Sequence, residues 1–278
     1  MILITTPNGK VGSEVVKQLQ AKGEQIRVGA HTVEKAQQAF PGAEVVRFDF
    51  ENEDSIRSAL QGVDKLYLAS PGEMQAGPVN RVVDLAKAAG VKHVVRLSAM
   101  GAEYGDSPLR QVEQYLEASG LDWTLLRPSW FMQNYSTGMA DGIRQGGTIM
   151  EPAEGAATGF VDARDIASVG VAALTGDGHA GQAYAITGPE ALTRDQVAAK
   201  ISAATGKPVR YQAVSARKFE AGMHGAGLPE AYIGLMGTLY GFVRAGQTAG
   251  LTNDVQRVTG HAPISFDQFA RNHADAWH

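Results

Sequence analysis

The chain has 278 residues, a net charge of −4, no cysteine and seven histidines. That length suits one large or two modest domains, and the absence of cysteine excludes disulfides and thiol catalysis and fits a reducing cytoplasm. Mild acidity, the lack of a basic stretch and the scattered histidines argue against nucleic-acid binding and against a metal centre.

The first element sets the expectation for the rest. A β-branched run over residues 2–6 predicts a strand, and Val11, Val15, Val16 and Leu19 predict a helix over 10–22. That apolar start is too short, and lacks the basic flank, for a signal peptide; no apolar run approaches the ~18 residues of a membrane span. Strand, glycine turn and helix together hold a dinucleotide pyrophosphate on unpaired helix N–H groups. Of three glycines expected at three-residue spacing, Gly9 and Gly12 are present and Thr6 takes the first place. Thr6-Pro7 is expected to set the turn by proline's fixed φ.

Six further strands are predicted at 25–30, 44–48, 65–69, 93–97, 123–127 and 183–187, with helices at 33–40, 53–61, 78–89, 109–119 and 165–174. Alternating strands and helices imply parallel strands joined by right-handed crossovers. The expected fold is therefore α/β, a Rossmann-type doubly wound parallel sheet over 1–188. After Gly188 the pattern changes: helices at 193–205, 216–224, 230–244 and 266–277 and a short strand at 209–213 predict a smaller, mostly helical C-terminal domain over 189–278. Ligands bind outside the carboxyl ends of such strands, so the cleft between the two domains is the expected site.

Candidate binding residues follow the strand ends. No acid follows the second strand until Glu34; the segment reads Ala30-His31-Thr32, with Lys35 one turn on. A missing carboxylate beside His31, Lys35 and Lys10 favours a 2′-phosphate and hence NADPH over NADH, although both lysines also fit a solvated helix face. Asp49, with the Phe50 backbone, suits an adenine ring or a simple turn. Ala69, Ser70 and Pro71, ahead of Gly72, let backbone approach the ribose and pyrophosphate, or form a plain Pro-Gly turn. Ser98 suits the nicotinamide ribose or a polar substrate atom, and Met100 an apolar wall; a satisfied strand-end hydroxyl explains Ser98 equally. Trp130, Phe131, Met132 and Tyr135 crowd the segment after the sixth strand and fit either a flat aromatic substrate or core. Gln133 and Asn134 suit a substrate or a carboxamide.

Together these segments resemble the NmrA-like group of atypical short-chain dehydrogenase/reductases, which includes NAD(P)H-dependent quinone reductases, azoreductases and triphenylmethane-dye reductases. The resemblance spans almost the whole chain. It is carried by the turn at 5–12, Arg96-Leu97-Ser98-Ala99, residues 112–121, Leu126-Arg127-Pro128-Ser129-Trp130-Phe131-Met132-Gln133-Asn134, Phe160-Val161-Asp162-Ala163-Arg164-Asp165 and residues 186–193. It implies phosphate contacts at Asn8, Gly9, Lys10, Val11 and Gly12, next to Thr6. His31 stands where many relatives carry an arginine for the 2′-phosphate.

The Tyr-x-x-x-Lys pair of ordinary short-chain dehydrogenases is missing; Tyr240 and Arg244 come nearest. Some relatives carry Lys or His four residues before the glutamate equivalent to Glu113, where this chain has Leu109 beside Arg110. No catalytic residue is assigned, with Ser98 and Tyr104 as candidates. Two readings stay open. In one, the chain transfers hydride from NADPH to a flat, electron-poor acceptor such as a quinone, azo compound or dye, with water or Tyr104 as proton source. In the other it is an NADP-binding redox sensor that regulates a partner. The expected partner is a small aromatic acceptor, and the apolar helix surface is compatible with a homodimer.

Overall fold

The computed structural model describes residues 1–71 and 75–278. Nine strands are formed among them: β1 (Ile2–Thr5), β2 (Ile26–Ala30), β3 (Glu44–Arg47), β4 (Lys65–Leu68), β5 (His93–Leu97), β6 (Asp122–Pro128), β7 (Thr148–Glu151), β8 (Gln182–Ile186) and β9 (Arg210–Ala213). Five helices alternate with the first six strands: α1 (Lys10–Ala21), α2 (Val33–Ala39), α3 (Glu53–Ala59), α4 (Ala76–Ala88) and α5 (Pro108–Ala118). Gly72 of the predicted turn after β4 lies outside the described residues.

The chain divides into two compact units. The first comprises Met1–Pro128, Ala163–Ile186 and Asp254–His261. Its sheet has seven strands in the order β3-β2-β1-β4-β5-β6-β8, all parallel. This is the expected doubly wound sheet, and its direction of winding reverses between β1 and β4. The inner strands are apolar on both faces because helices cover both. Leu3, Leu66, Val94 and Leu125 pack against Ile56 of α3, Val79 and Val83 of α4, and Val112 and Leu116 of α5. On the other side α1 packs along the helix Ala163–Thr175. Edge strand β3 is shallow and charged at both ends, with Glu44 and Arg47 exposed.

Sequence also dictates where helices start. Ser107 accepts a hydrogen bond from the Arg110 N–H with Pro108 in the first turn of α5. Thr193 and Gln196 form a reciprocal capping box at the head of the helix Arg194–Thr205.

The second unit comprises Ser129–Asp162, Thr187–Asn253 and Ala262–His278. The division is thus interleaved, where sequence predicts one boundary at 188/189. One cause is local: the Asp254 carboxylate accepts a hydrogen bond from the Ala185 N–H on edge strand β8 at 2.9 Å, drawing 254–261 back to the sheet. The second unit is mostly helical, as expected, but β9 has a partner that sequence does not predict, the parallel strand β7. Its aromatic core joins Tyr135, Phe160, Phe266 and Phe269 edge-on, with Trp277 donating to the Tyr135 carbonyl at 2.8 Å. The predicted helix 266–277 breaks at His273 into Phe266–Asn272 and a 3-10 turn. Among the described residues no helix is long and apolar enough to cross a membrane.

Thr6 departs from expectation. Its φ is +47°, so the residue in the first glycine position itself adopts the left-handed conformation, and Pro7 does not replace it. Such a conformation costs a β-branched residue roughly 1–3 kcal/mol. Glycine there costs about 0.5–1 kcal/mol in unfolded-chain entropy. Relief of strain exceeds that cost, so Thr6→Gly is expected to raise stability by about 1 kcal/mol and the thermal midpoint by about 2 °C. A lowered midpoint in thermal unfolding would contradict the strain.

Candidate functional site

The site of the first unit is built on the switch point between β1 and β4. The Gly9 N–H donates to the Thr6 carbonyl at 3.0 Å and closes the turn into α1. A Cβ at Gly12 would overlap the Thr6 carbonyl oxygen and lie 3.1 Å from its carbon; a Cβ at Gly9 would sit 3.2 Å from the same oxygen. Gly12 therefore lets α1 sit directly on the end of β1. The N-cap of α1 is Gly9, which has no side chain to cap the helix, and no acid occupies the first turn, so this helix N-terminus suits an anion. The Thr6 hydroxyl is buried there without a hydrogen-bond partner among the described residues. A cradle without Cβ atoms, an uncapped helix end and an orphaned hydroxyl suit a pyrophosphate.

The exit of β4 is fastened to the exit of β1. The Thr5 hydroxyl donates to the Ala69 carbonyl at 2.7 Å and accepts from the Ala69 N–H at 2.9 Å. Ser70 accepts from the Arg96 guanidinium at 3.0 Å, and Leu68 O accepts from it at 3.1 Å. Arg96 is buried, and desolvation lowers its pKa to about 10. Pro71 is exposed just beyond.

At the ends of β2 and β3 three charged or polar side chains meet. The Arg47 guanidinium donates to Asp49 Oδ2 at 3.2 Å, and His31 Nε2 lies 3.6 Å from the same oxygen. Asp49 Oδ1 accepts from the Glu51 N–H at 3.1 Å. That backbone bond, followed by Arg47 and His31, holds the Asp49 carboxyl below its ordinary value. Phe50 is buried, its ring edge-on to Phe48 at 5.1 Å, so its side chain serves the core. Lys35 is exposed on α2 and makes no hydrogen bond or ion pair with this cluster. Arg47 is the residue that sequence reasoning missed; its signal was a basic residue ending the strand beside β2.

The loop after β5 carries Ser98 and Met100. Backbone pairing continues past the strand, with Ser98 N–H donating to Leu126 O at 2.7 Å and Met100 N–H to Pro128 O at 3.0 Å. Ser98 is buried and Met100 half-buried. Beneath them Glu113 is fully buried and accepts from Arg127 at 2.7 and 3.0 Å and from Arg110 at 3.0 Å. Burial raises the Glu113 pKa, but the hydrogen bonds from Arg127 and Arg110 outweigh it and hold the carboxyl low. Glu113 is thus an ionised strut under the loop, with Arg110 spent on it. Tyr115 on the same helix donates to Asp84 at 2.7 Å. Tyr104 is 88 % exposed, after Gly101 with φ +88°.

In the second unit the aromatic segment separates into two roles. Met132 and Tyr135 are core, and Gln133 is buried with its amide donating to Asp162 at 2.9 Å. Trp130, Phe131 and Asn134 stay half-buried. Trp130 packs 5.0 Å from the Tyr240 ring, and the Arg194 guanidinium lies 5.8 Å from Trp130 and 5.0 Å from Phe160. Arg194 is paired with buried Glu151 at 2.7 Å, and Tyr135 and Tyr240 donate to the same carboxylate at 3.1 and 2.7 Å. Burial, then Glu151, raises both phenols, so they remain protonated donors. Among the described residues no group of three or more His, Asp or Glu could hold a metal.

The strand order and the glycine cradle at the switch point define a Rossmann dinucleotide-binding protein. The chain belongs to the NAD(P)H-binding family, whose model matches residues 7–177. It is 36 % identical to an NAD(P)H azoreductase of Xenophilus azovorans, covering 100 % of this chain and 99 % of that protein. Its structure is similar to the NADPH-dependent quinone oxidoreductase of Escherichia coli in complex with NADPH (TM-score 0.87, 28 % identity, 98 % of this chain and 99 % of the other). It is also similar to the Citrobacter sp. triphenylmethane reductase complexed with NADP(H) (TM-score 0.84, 25 % identity, 98 % and 99 %). The resemblance read from the sequence motifs therefore holds across the chain.

Proposed function

We propose that this chain is an NADPH-dependent reductase that passes hydride to a flat, electron-poor acceptor such as a quinone, an azo compound or a dye. The observation that carries this reading is the switch-point turn, with its Cβ-free cradle at Gly9 and Gly12, its uncapped helix and its orphaned Thr6 hydroxyl. Likeness to an azoreductase, a quinone oxidoreductase and a triphenylmethane reductase supports the acceptor class.

In this reading Thr6, Asn8, Gly9, Lys10, Val11 and Gly12 hold the pyrophosphate. Asp49 and the Phe50 backbone meet the adenine, and His31 and Lys35 stand on the ribose side. Ala69, Ser70 and Pro71 line the backbone approach, and Ser98 orients the nicotinamide end. Trp130, Phe131 and Asn134 supply an apolar face and an amide to the acceptor. When bound, the nicotinamide supplies the hydride. The chain's own residues mainly position it, because the Glu113 carboxylate is spent on Arg110 and Arg127 and no Tyr-x-x-x-Lys pair exists to donate a proton. Quinones and azo groups accept hydride without prior protonation, so water or the exposed Tyr104 hydroxyl suffices as proton source.

The test mixes protein, NADPH and menadione or an azo dye and follows the nicotinamide absorbance. Protein-dependent loss of signal is expected. Tight NADPH binding without turnover across a broad panel of quinones and azo dyes would reject the reductase in favour of a redox sensor.

A further inference from the structure

We infer that Arg47 and Asp49 together set cofactor selectivity, Arg47 binding the 2′-phosphate of NADPH and Asp49 accepting from the 2′-hydroxyl of NADH. This rests on the cofactor reading above and revises it at two points: Asp49 moves from the adenine to the ribose, and Arg47 takes the 2′-phosphate in place of His31 and Lys35.

Register brings the pair to the ribose. Arg47 ends β3 opposite Ala30, the last residue of β2, and the Phe48 N–H donates to the Ala30 carbonyl at 2.9 Å. In a Rossmann unit the adenosine ribose lies beyond the end of the second strand. The residue following β2 is His31, so the acid that normally binds a 2′-hydroxyl is not on β2. The neighbouring strand supplies both an acid and a cation instead.

The two partners are held unequally. Asp49 is anchored: its side chain is 21 % exposed, and it accepts from the Glu51 N–H as well as from Arg47. The Arg47 side chain is 56 % exposed and, among the described residues, gives one hydrogen bond, to Asp49. Four of the five guanidinium N–H donors remain for a ligand. A doubly charged phosphate with three acceptor oxygens outcompetes one carboxylate oxygen for a planar guanidinium. When NADPH binds, Arg47 turns to the phosphate and Asp49 keeps its bond from Glu51. When NADH binds, Arg47 stays on Asp49 and Oδ2 accepts the ribose hydroxyl. Lys35 has no bond to this cluster and offers a flexible point charge on a solvated helix face.

The experiment measures dissociation constants of NADPH and NADH by nucleotide fluorescence titration for the wild-type chain, Arg47→Gln, Asp49→Asn and Lys35→Gln. Asn at 49 keeps a carbonyl acceptor while losing the charge. Arg47→Gln is expected to weaken NADPH about tenfold or more and to leave NADH within about twofold, as for loss of a charge-assisted phosphate contact. Asp49→Asn shifts the ratio the other way, weakening NADH and not NADPH. Lys35→Gln leaves the ratio unchanged. Equal loss of both nucleotides in Arg47→Gln, no change in it, an unmoved ratio in Asp49→Asn, or an NADPH-specific loss in Lys35→Gln overturns the assignment alone. A wild-type chain that binds neither nucleotide overturns the cofactor reading and this assignment with it.

Discussion

Gly12→Ala is expected to weaken NADPH binding by about a hundredfold and to destabilise the first unit by about 2–3 kcal/mol. The added methyl would meet only backbone: the Thr6 carbonyl oxygen and carbon and the Pro7 Cα. No flexible side chain can move aside, so α1 must shift away from the end of β1. The shift breaks the cradle in which the helix N–H groups point at the phosphates. Gly9→Ala is the graded control, since its methyl would meet a single atom at 3.2 Å; a loss under about tenfold is expected. Calorimetric titration with NADPH and thermal unfolding read both effects. If Gly12→Ala binds NADPH as the wild type does, the nucleotide does not sit on this turn.

Glu151→Ala is expected to cost about 3–5 kcal/mol of stability. The carboxylate is 1 % exposed and receives the Arg194 guanidinium and the Tyr135 and Tyr240 hydroxyls. Its removal leaves a guanidinium buried without an anion and two phenols without acceptors, each a desolvation penalty. Arg194→Met is expected to cost a similar amount by the reverse route. The double variant Glu151→Leu with Arg194→Met should recover a large part, because removing both charges is far cheaper than stranding one. Urea unfolding followed by tryptophan fluorescence measures the cycle. Additive losses in the double variant would show that the two side chains are not energetically a pair.

Much of the fold was legible along the chain, for a physical reason. Strands buried on both faces read as continuous apolar runs, and helices between them show one apolar stripe, so β1, β4, β5 and β6 and the helices beside them are local signals. Strand β7 was not legible: it is four residues long, alternates in burial and exists through pairing with distant β9. The aromatic segment after β6 had the same limit. Composition cannot separate a Tyr135 that packs against Phe160 and Phe266 from a Trp130 that stays half-buried.

The site divides along the same line. Gly12 announces a close backbone approach that only glycine permits, and with Gly9 it marked the turn proposed for the pyrophosphate from sequence alone. The sequence also determined that no tyrosine–lysine pair supplies the proton. Tertiary structure decided the rest. Thr6 takes a left-handed φ that nothing in its chemistry favours. Arg47 acquires its meaning from the register of β3 against β2. Glu113 meets Arg127 and Glu151 meets Arg194 across intervening elements. Apolar periodicity and glycine are written locally in a chain, whereas a charge is defined by the partner that folding brings to it.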